Sequence, residues 1–376
     1  MWTRLCAHKL RDEPGKAPKS HGALRRHAWS QVVRILVYKN NLTTGRGADR
    51  AVCTICGLLA AAHEVVLATG AAGSLSCPVD SRVQVMRIPL SVAALRAIVG
   101  ETRPDVILST GTDEINDLSA AFPVDFPAPV VQQFHIYPPS AFKPRRWLRN
   151  ARTKRALRRC AAIQVLLPAY VDLTRRLLRY KGVVRAIGNA APGIDPLPPS
   201  AAPVILYPAA FHKDKRQDLL VRAFAHLKRR VPSAELVLAG TGKPEERVRL
   251  QHLADKLGIA KSVSFPGYLA DLRPLFARAA VVAFPSRREG FGLVLLESAA
   301  AGRLAVGCAD CPASRDLIPQ FGGILASKPD SKAFAAVLYA GLEKAPTYPV
   351  PRTALDAYSH GAIAGQWESL LREVVQ

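Results

Sequence analysis

The sequence predicts two α/β domains, each a doubly wound parallel sheet, that face one another across a central cleft. Three observations lead to this prediction. The chain has 376 residues, which is long for one core and suits two domains of ordinary size. Short apolar strand runs alternate with helix-like segments on both sides of one proline-rich stretch. Finally, 49% of the residues are hydrophobic and 22% are charged, which is typical of a packed globular enzyme.

The N-terminal part divides into an extension and a first domain. Residues 1–30 show no apolar periodicity and carry scattered basic groups, so we expect a disordered extension there. From Val32 the pattern becomes strand, turn and helix, and six further strand candidates follow: EVVLAT, RVQVMRI, DVILS, PVVQQF, AIQVLL and VVRAI. We therefore assign residues 31–195 to a Rossmann-like domain with a mostly parallel sheet.

A linker is predicted between Pro192 and Pro203, because proline-rich chain cannot form a regular helix or strand. The alternation restarts at VILYP and continues through ELVLAG, SVSF, VVAFP and LAVG. This pattern predicts a second Rossmann-like domain over residues 200–355. A last helix, within residues 358–376, follows another proline-rich break, and we expect it to cross back onto the first domain.

The overall charge is strongly basic, because 52 Lys and Arg stand against 29 Asp and Glu, a formal net charge of +23. Such a field favours anionic partners: nucleic acid, a membrane surface or phosphorylated small molecules. No run of residues is apolar enough to span a bilayer, and no secretory leader is evident. We expect a cytoplasmic protein that attaches peripherally to the inner face of the plasma membrane.

The cysteines also indicate a reducing compartment, since there are seven without regular spacing. Two C-x-x-C units, Cys53/Cys56 and Cys308/Cys311, could in principle supply four thiolates to zinc. They lie far apart in the sequence on unlike elements, a helix and the end of a strand. We therefore expect no metal site.

One loop at a strand end is the richest in chemistry, the segment from Pro285 to Gly302 (PSRREGFGLVLLESAAAG). Gly290 and Gly292 would bring bare backbone close to a ligand, and the free N–H groups of the helix start suit a diphosphate. Glu289 is expected just before the helix and Glu297 about two turns inside it; if both followed one helical path, they would lie about 12 Å apart along its axis. That distance matches a sugar linked to a nucleoside diphosphate.

This segment resembles the Glu-x7-Glu signature of glycosyltransferase family 4, whose members are retaining enzymes of the GT-B fold. The resemblance covers the strand, the PSxxEGFGLxxLE motif, the small-residue helix and the next strand. It implies that Glu289 contacts the donor sugar and that Glu297 contacts the ribose. It also implies that backbone amides at Phe291, Gly292 and Leu293 hold sugar and phosphate oxygens.

Other segments of the C-terminal half resemble the same family. YPAAFHKDKRQDLLVRAF is similar to a strand and loop that end in a lysine on the donor diphosphate, which implies that role for Lys215. The family usually carries an arginine five residues earlier, where this chain has Ala210, so the second cation is missing or comes from His212, Lys213 or elsewhere. LAGTGK resembles a glycine loop beside the nucleotide, at Gly240. FPGYLAD resembles the segment at the base, where Tyr268 would line the pocket.

The N-terminal half contributes two candidate regions. Its loop TGRGAD resembles the family's first glycine-rich loop, in which Gly45 and Gly47 would permit close approach of donor phosphate or acceptor. His135 ends a strand where the family often has a histidine near the acceptor and the sugar C1. A neutral imidazole there could bond a donor hydroxyl or assist proton movement.

A basic segment, Lys143 to Arg159, carries nine basic residues and no acidic one. Its composition predicts a helix that lies on an anionic membrane or binds a lipid-diphosphate acceptor. A solvated basic face is the alternative interpretation.

Together these features predict a retaining hexosyltransferase that uses a UDP- or GDP-linked sugar as donor. We expect a lipid-linked or polysaccharide acceptor, in cell-envelope glycan synthesis, and no cofactor or metal besides the nucleotide-sugar co-substrate. Same-face transfer is favoured because no nucleophile is evident. The alternatives are a nucleotide-sugar epimerase or glycosyl phosphorylase of the same fold, and a basic nucleic-acid-binding protein. We find no nucleic-acid reader module, so no specific nucleic acid is expected.

Overall fold

The structure, a computed structural model, describes residues 31–45, 47–141, 147–200 and 202–376. The expected extension, residues 1–30, lies outside the described residues, as does the first part of the basic segment, 143–146.

The N-terminal half is built on one parallel sheet. Its strands are β1 (Arg34–Lys39), β2 (Glu64–Gly70), β3 (Gln84–Ile88), β4 (Val106–Ser109), β5 (Val130–Gln133), β6 (Ala162–Val165) and β7 (Val183–Ala186). Its helices are α1 (Gly47–Leu59), α2 (Val92–Thr102), α3 (Thr112–Ala121), α4 (Trp147–Leu157) and α5 (Ala169–Leu178).

The seven strands run in the order β3-β2-β1-β4-β5-β6-β7, and every pair is parallel. Val37 of β1 stands opposite Leu67 of β2 on one side and Leu108 of β4 on the other. All three are buried, because helices cover both faces of the sheet. The strand order reverses between β1 and β4, and ligands of open α/β sheets bind at such a switch point.

The C-terminal half repeats this plan with six strands. They are β8 (Val204–Pro208), β9 (Glu235–Ala239), β10 (Val263–Gly267), β11 (Val281–Phe284), β12 (Leu304–Cys308) and β13 (Ile324–Ala326). The helices are α6 (Gln217–Lys228), α7 (Pro244–Lys256), α8 (Arg273–Arg278), α9 (Leu293–Ala300), α10 (Pro312–Leu317), α11 (Ser331–Lys344), α12 (Arg352–Asp356) and α13 (His360–Val375). The order is β10-β9-β8-β11-β12-β13, again all parallel, with the reversal between β8 and β11. The predicted pair of doubly wound parallel sheets is confirmed.

The last helix, α13, packs against α1 and β4 of the N-terminal half. It begins where the Ser359 side chain accepts the Ala362 N–H at 3.2 Å, an N-cap that satisfies one free amide. Trp367 is fully buried on its inner face. Beside it, Glu368 lies 2.9 Å from Nε2 of His63, which follows α1. This helix therefore ties the end of the chain to the first sheet.

The cysteines of the two C-x-x-C units are not in one state, and one of them takes part in a disulfide, which the expectation of a reducing compartment did not include. Cys53 is disulfide-bonded to Cys77, whereas Cys56, one helical turn on, is buried and free. Cys308 and Cys311 are also buried and free. Within the described ranges no cluster of three or more metal-ligating side chains occurs. In the same ranges, none of the helices has both the length and the apolar character that a membrane crossing requires.

Candidate active site

The candidate site lies where the loops after the two switch points meet. From the C-terminal half come the loop after β8, which ends in a 3-10 turn at Lys213–Lys215, and the loop from β11 to α9. From the N-terminal half comes the loop after β1, with Gly45 and Gly47. Each loop leaves the carboxyl end of a parallel strand, so the fold itself brings these segments to one cleft.

Lys215 and Glu289 form an ion pair at the centre of this cleft, with Nζ of the lysine against Oε1 of the glutamate. Their side chains are 25% and 11% exposed, so the pair is shielded but still open to a ligand. Tyr207 supports both loops, because its hydroxyl donates to the Lys215 carbonyl at 3.1 Å and bonds Ser286 at 2.7 Å. Burial raises the pKa of Tyr207 well above its ordinary value, so this hydroxyl keeps its proton.

Two arginines that the sequence analysis did not single out stand beside this pair. The Arg287 and Arg288 guanidinium groups lie 3.6 and 4.0 Å from Oδ1 of Asp214, which neighbours Lys215 in the 3-10 turn. Both are about half exposed. At Ala210 the side chain supplies no charge, and its carbonyl accepts from Gln217 at 2.9 Å. In the sequence, these cations could have been found from the Arg-Arg dipeptide that directly precedes the first glutamate of the motif.

At the start of α9, Glu289 precedes the helix and Glu297 lies inside it, in the order that the sequence predicts. Gly292 has φ +90°, in the left-handed region, so Glu289 and Glu297 do not share one helical path. Glu289 stays in the preceding loop and Glu297 lies in the second turn of the helix. The axial spacing of about 12 Å that one helical path would give therefore does not apply. The free amides at Leu293 still form a helix N-terminus of the kind that binds anions.

The two motif glycines face protein atoms, whereas open backbone toward a ligand was expected. A Cβ on Gly290 would lie 2.2 Å from the His135 carbonyl oxygen, and one on Gly292 would lie 2.7 Å from Cζ of Phe284. Gly290 thus serves close contact between the two halves of the chain. Phe291 is 3% exposed and its ring packs on Tyr358, so its side chain is structural, and the prediction for this residue concerns its backbone amide alone.

Glu297 makes its ion pair across the cleft. Its Oε1 accepts from Nη2 of Arg50, on α1, at 2.7 Å. No motif in the sequence marked this arginine, although it stands only three residues after Gly47. One helical turn earlier on each side, a Cβ on Gly47 would lie 3.2 Å from Cδ1 of Leu293. The first turns of α1 and α9 therefore face each other.

The glycine-rich loop of the N-terminal half reaches the opposite half as well. Gly45 has φ +64°, and a Cβ there would lie 3.5 Å from the Tyr268 hydroxyl. The Thr44 amide and hydroxyl both donate to the buried Asp49 carboxylate, at 3.1 and 2.6 Å. Tyr268 itself is 60% exposed. The loop and the predicted base-binding tyrosine thus stand side by side.

Gly240 has a purely backbone role in this structure. Its φ of +147° is a backbone angle that glycine adopts and other residues rarely do. A Cβ at this position would lie 2.2 Å from the Ala209 carbonyl oxygen. Its N–H donates to the Gly267 carbonyl at 2.7 Å. The residue therefore lets the loops after β8, β9 and β10 approach one another below Tyr268.

His135 lies just after β5, with its backbone against Gly290. Its Nε2 is 3.4 Å from Oε1 of Gln133. Burial, together with the positive charge of Lys39, lowers the pKa of His135 to about 4. The imidazole is therefore neutral near pH 7. The Tyr170 hydroxyl nearby donates to the Glu289 carbonyl at 2.6 Å, a further link between the halves.

The described part of the basic segment is α4 together with Arg158 and Arg159, whose guanidinium groups donate to the carbonyls of Leu178 and Phe122. Arg149 pairs with Asp113, and the Thr153 hydroxyl donates to Asn116 at 3.0 Å, so this helix is held on α3. Leu148, Arg152 and Arg155 are exposed. The outer surface of α4 therefore presents positive charge and the apolar side chain of Leu148 to solvent.

Comparisons with known proteins agree with this architecture. The family model for glycosyl transferases group 1 matches residues 195–348. EpsD of Bacillus subtilis, named as a glycosyltransferase, is 38% identical over 133 residues, which cover 35% of this chain and 34% of EpsD. The lipopolysaccharide core biosynthesis glycosyltransferase LpsE of Rhizobium meliloti is 31% identical over 175 residues, or 45% of this chain and 47% of LpsE. The chain thus spans a third to a half of the length of these relatives.

Solved structures are similar over nearly the whole described chain. HepE of Anabaena in complex with UDP has a TM-score of 0.76 at 18% identity, and the match covers 90% of this chain and 99% of that one. Sucrose-phosphate synthase of Thermosynechococcus elongatus has a TM-score of 0.77 at 20% identity, covering 90% and 98%. At such identities the likeness concerns the fold. Residues 195–348 thus match the model of a glycosyltransferase group 1 domain, and the chain as a whole has the two-domain fold of these solved glycosyltransferase structures.

Proposed function

We propose that this chain is a retaining glycosyltransferase of family 4 that moves a hexosyl group from a UDP- or GDP-linked sugar. The acceptor is a lipid-linked saccharide or a polysaccharide in cell-envelope glycan synthesis. The names of similar proteins support this proposal. They include the GDP-mannose-dependent phosphatidylinositol monomannoside mannosyltransferase of Mycolicibacterium smegmatis and HepE of Anabaena in complex with UDP-glucose.

One observation carries the proposal: Lys215 and Glu289 meet beside the free amides that begin α9, with Glu297 further along the same helix. A cation and a helix start suit a diphosphate, and carboxylates on either side suit the hydroxyls of a sugar and a ribose. In this proposal Glu289 orients the donor sugar, Glu297 binds the ribose and Tyr268 lines the base.

The transfer runs on one face of the sugar. The bond between C1 and the diphosphate oxygen breaks, the acceptor oxygen bonds C1 from the same side, and the acceptor proton passes to the departing diphosphate. Lys215 and the α9 amides stabilise the charge that develops on that diphosphate. Neutral His135 forms a hydrogen bond with a hydroxyl group of the donor sugar near C1. Gly45 and Gly47 border the donor from the N-terminal half. No metal takes part in this scheme.

The acceptor reaches the N-terminal half at a membrane surface. We assign that contact to the segment from Lys143 to Arg159, which carries no acidic residue. Juxtaposed basic side chains attract anionic lipids, and the exposed Leu148 adds an apolar contact. This arrangement holds the protein at the inner face of the plasma membrane.

Turnover of a panel of UDP- and GDP-sugars, with release of free UDP or GDP as the readout, tests the proposal. We expect one donor to be hydrolysed slowly without acceptor, and Glu289→Gln to reduce that rate by about 100-fold or more. Glu235→Gln is the matched control, because Glu235 pairs with Arg278 on the surface of the same half. NMR of the product gives the anomer. Inversion at C1, or a Glu289→Gln variant as active as the parent, contradicts the assignment.

The same panel separates the alternative enzymes. An epimerase returns the nucleotide sugar as its epimer without releasing nucleotide, and a phosphorylase requires inorganic phosphate. Either result replaces the transferase proposal.

A further inference from the structure

Arg50 and Glu297 form an ion pair between the two halves of the chain. Arg50 belongs to α1 of the N-terminal half and Glu297 to α9 of the C-terminal half. The distance between Nη2 and Oε1 is 2.7 Å. The arginine side chain is 45% exposed, whereas the glutamate side chain is 7% exposed. The pair is therefore asymmetric: a half-exposed cation reaches across to a nearly buried anion.

Glu297 needs a partner in this position. Its neighbours along α9, among them Leu296 and Ala300, are buried. An ionised carboxylate withdrawn from water costs several kcal/mol unless it is paired and hydrogen-bonded. Among the described side chains, Arg50 is the cation that pairs with it. The opposite half of the chain thus supplies the compensation for this buried charge.

The pair also sits on a contact that exists only when the halves are close. Gly47 faces Leu293 one turn before the pair, and Gly45 faces Tyr268 beyond it. Opening of the cleft separates α1 from α9 and removes the guanidinium from Glu297. The ion pair between Arg50 and Glu297 therefore exists only when the cleft is closed.

We propose that Arg50 is a positioning residue that couples binding of the donor ribose to closure of the cleft. Arg50 contacts Oε1 of Glu297, which leaves Oε2 to accept from a ribose hydroxyl. A ribose binds more tightly to a carboxylate whose orientation is already fixed by an ion pair, because less rotational freedom is lost on binding. Nucleotide and closure then favour each other. This inference rests on the proposed donor site and adds a residue of the opposite half to it.

Calorimetric titration with UDP, GDP and the 2′,3′-dideoxy form of whichever binds tests this proposal. We expect Arg50→Gln to weaken binding of the ribose nucleotide about tenfold and that of the dideoxy nucleotide less than twofold. Arg50→Lys should retain part of the affinity. In the Glu297→Gln background, Arg50→Gln should have no further effect, because the two residues act through one carboxylate. Small-angle scattering should show compaction on nucleotide binding in the parent and not in Arg50→Gln.

Arg185→Gln is the matched control, since Arg185 is 44% exposed and pairs with Glu373 away from the cleft. Equal losses for both nucleotides, unchanged affinity, or tighter binding by Arg50→Gln would overturn the coupling while leaving the donor site in place. Conversely, a parent that binds neither UDP nor GDP overturns both proposals. A parent that binds UDP with the expected Arg50 effects, yet transfers no sugar, keeps the coupling and removes the transferase assignment.

Discussion

Substitution of Gly290 by alanine should separate the effect of cleft closure from that of site chemistry. The residue has no left-handed backbone angle, so alanine is compatible with its conformation. The obstacle is the opposite half, because the new Cβ would lie 2.2 Å from the His135 carbonyl oxygen and 3.0 Å from Cα of Ile136. Non-bonded heavy atoms prefer about 3.5 Å or more, so the halves must move apart locally by about 1 Å.

The displacement between the two halves determines how much catalytic rate the Gly290→Ala variant should lose. A shift of about 1 Å between catalytic groups costs on the order of 100-fold in rate. We therefore expect kcat for donor turnover to fall about 100-fold in Gly290→Ala. The melting temperature should change little, because opening the cleft relieves the clash and leaves both sheets intact. Steady-state kinetics and thermal unfolding of the same preparation give both quantities.

Gly365→Ala is the control, since a Cβ there meets nothing within 4 Å and the residue lies inside α13. It should keep full activity and gain roughly 0.5–1 kcal/mol of stability. If Gly290→Ala retains kcat within threefold of the parent, the halves need not close as the structure has them, and the reasoning from this contact is refuted.

Three further predictions concern charge. Lys215→Met should lower kcat by about 100-fold or more, measured by nucleotide release, because the leaving diphosphate loses its cation. His135 has a pKa lowered to about 4 in the folded chain, so the unfolded chain binds more protons between pH 6.5 and 4. The free energy of unfolding, measured in urea, should therefore decrease as the pH falls through that window. The decrease should be smaller in the His135→Gln variant than in the parent. Arg152→Gln with Arg155→Gln should weaken sedimentation with anionic vesicles by about 30-fold, from roughly 1 kcal/mol per charge.

Matched variants accompany these tests. Lys256→Met removes an exposed lysine of α7 and should leave kcat unchanged. Arg247→Gln with Arg249→Gln removes two exposed arginines of the same helix, on the C-terminal half, and should leave vesicle binding unchanged. Equal losses in a control and its test variant would contradict the assigned role, as would an identical pH response in His135→Gln and the parent.

Local patterns in the sequence were enough to predict the two parallel sheets and the loops that carry the candidate residues. Apolar runs of four to seven residues mark buried strands locally, and glycine-rich turns mark the loops that leave their carboxyl ends. Topology then requires such loops to gather at one edge of each sheet. Topology thus places the loops that carry Lys215 and Glu289, 74 positions apart, at one cleft, and the resemblance to glycosyltransferase family 4 implied which side chains of those loops meet the donor.

The contacts that these residues make depend on how the chain folds in three dimensions. The bend at Gly292 separates Glu289 from Glu297, although their spacing is also compatible with one helix. Arg50 pairs with Glu297, 247 positions away in the sequence, and Gly290 packs on His135. Both contacts arise because the two halves dock in one particular way. Docking depends on the summed shape and charge of two whole surfaces, so no local pattern in the sequence records it. The candidate donor residues were therefore readable from the sequence, and the contacts that close the cleft around them were not.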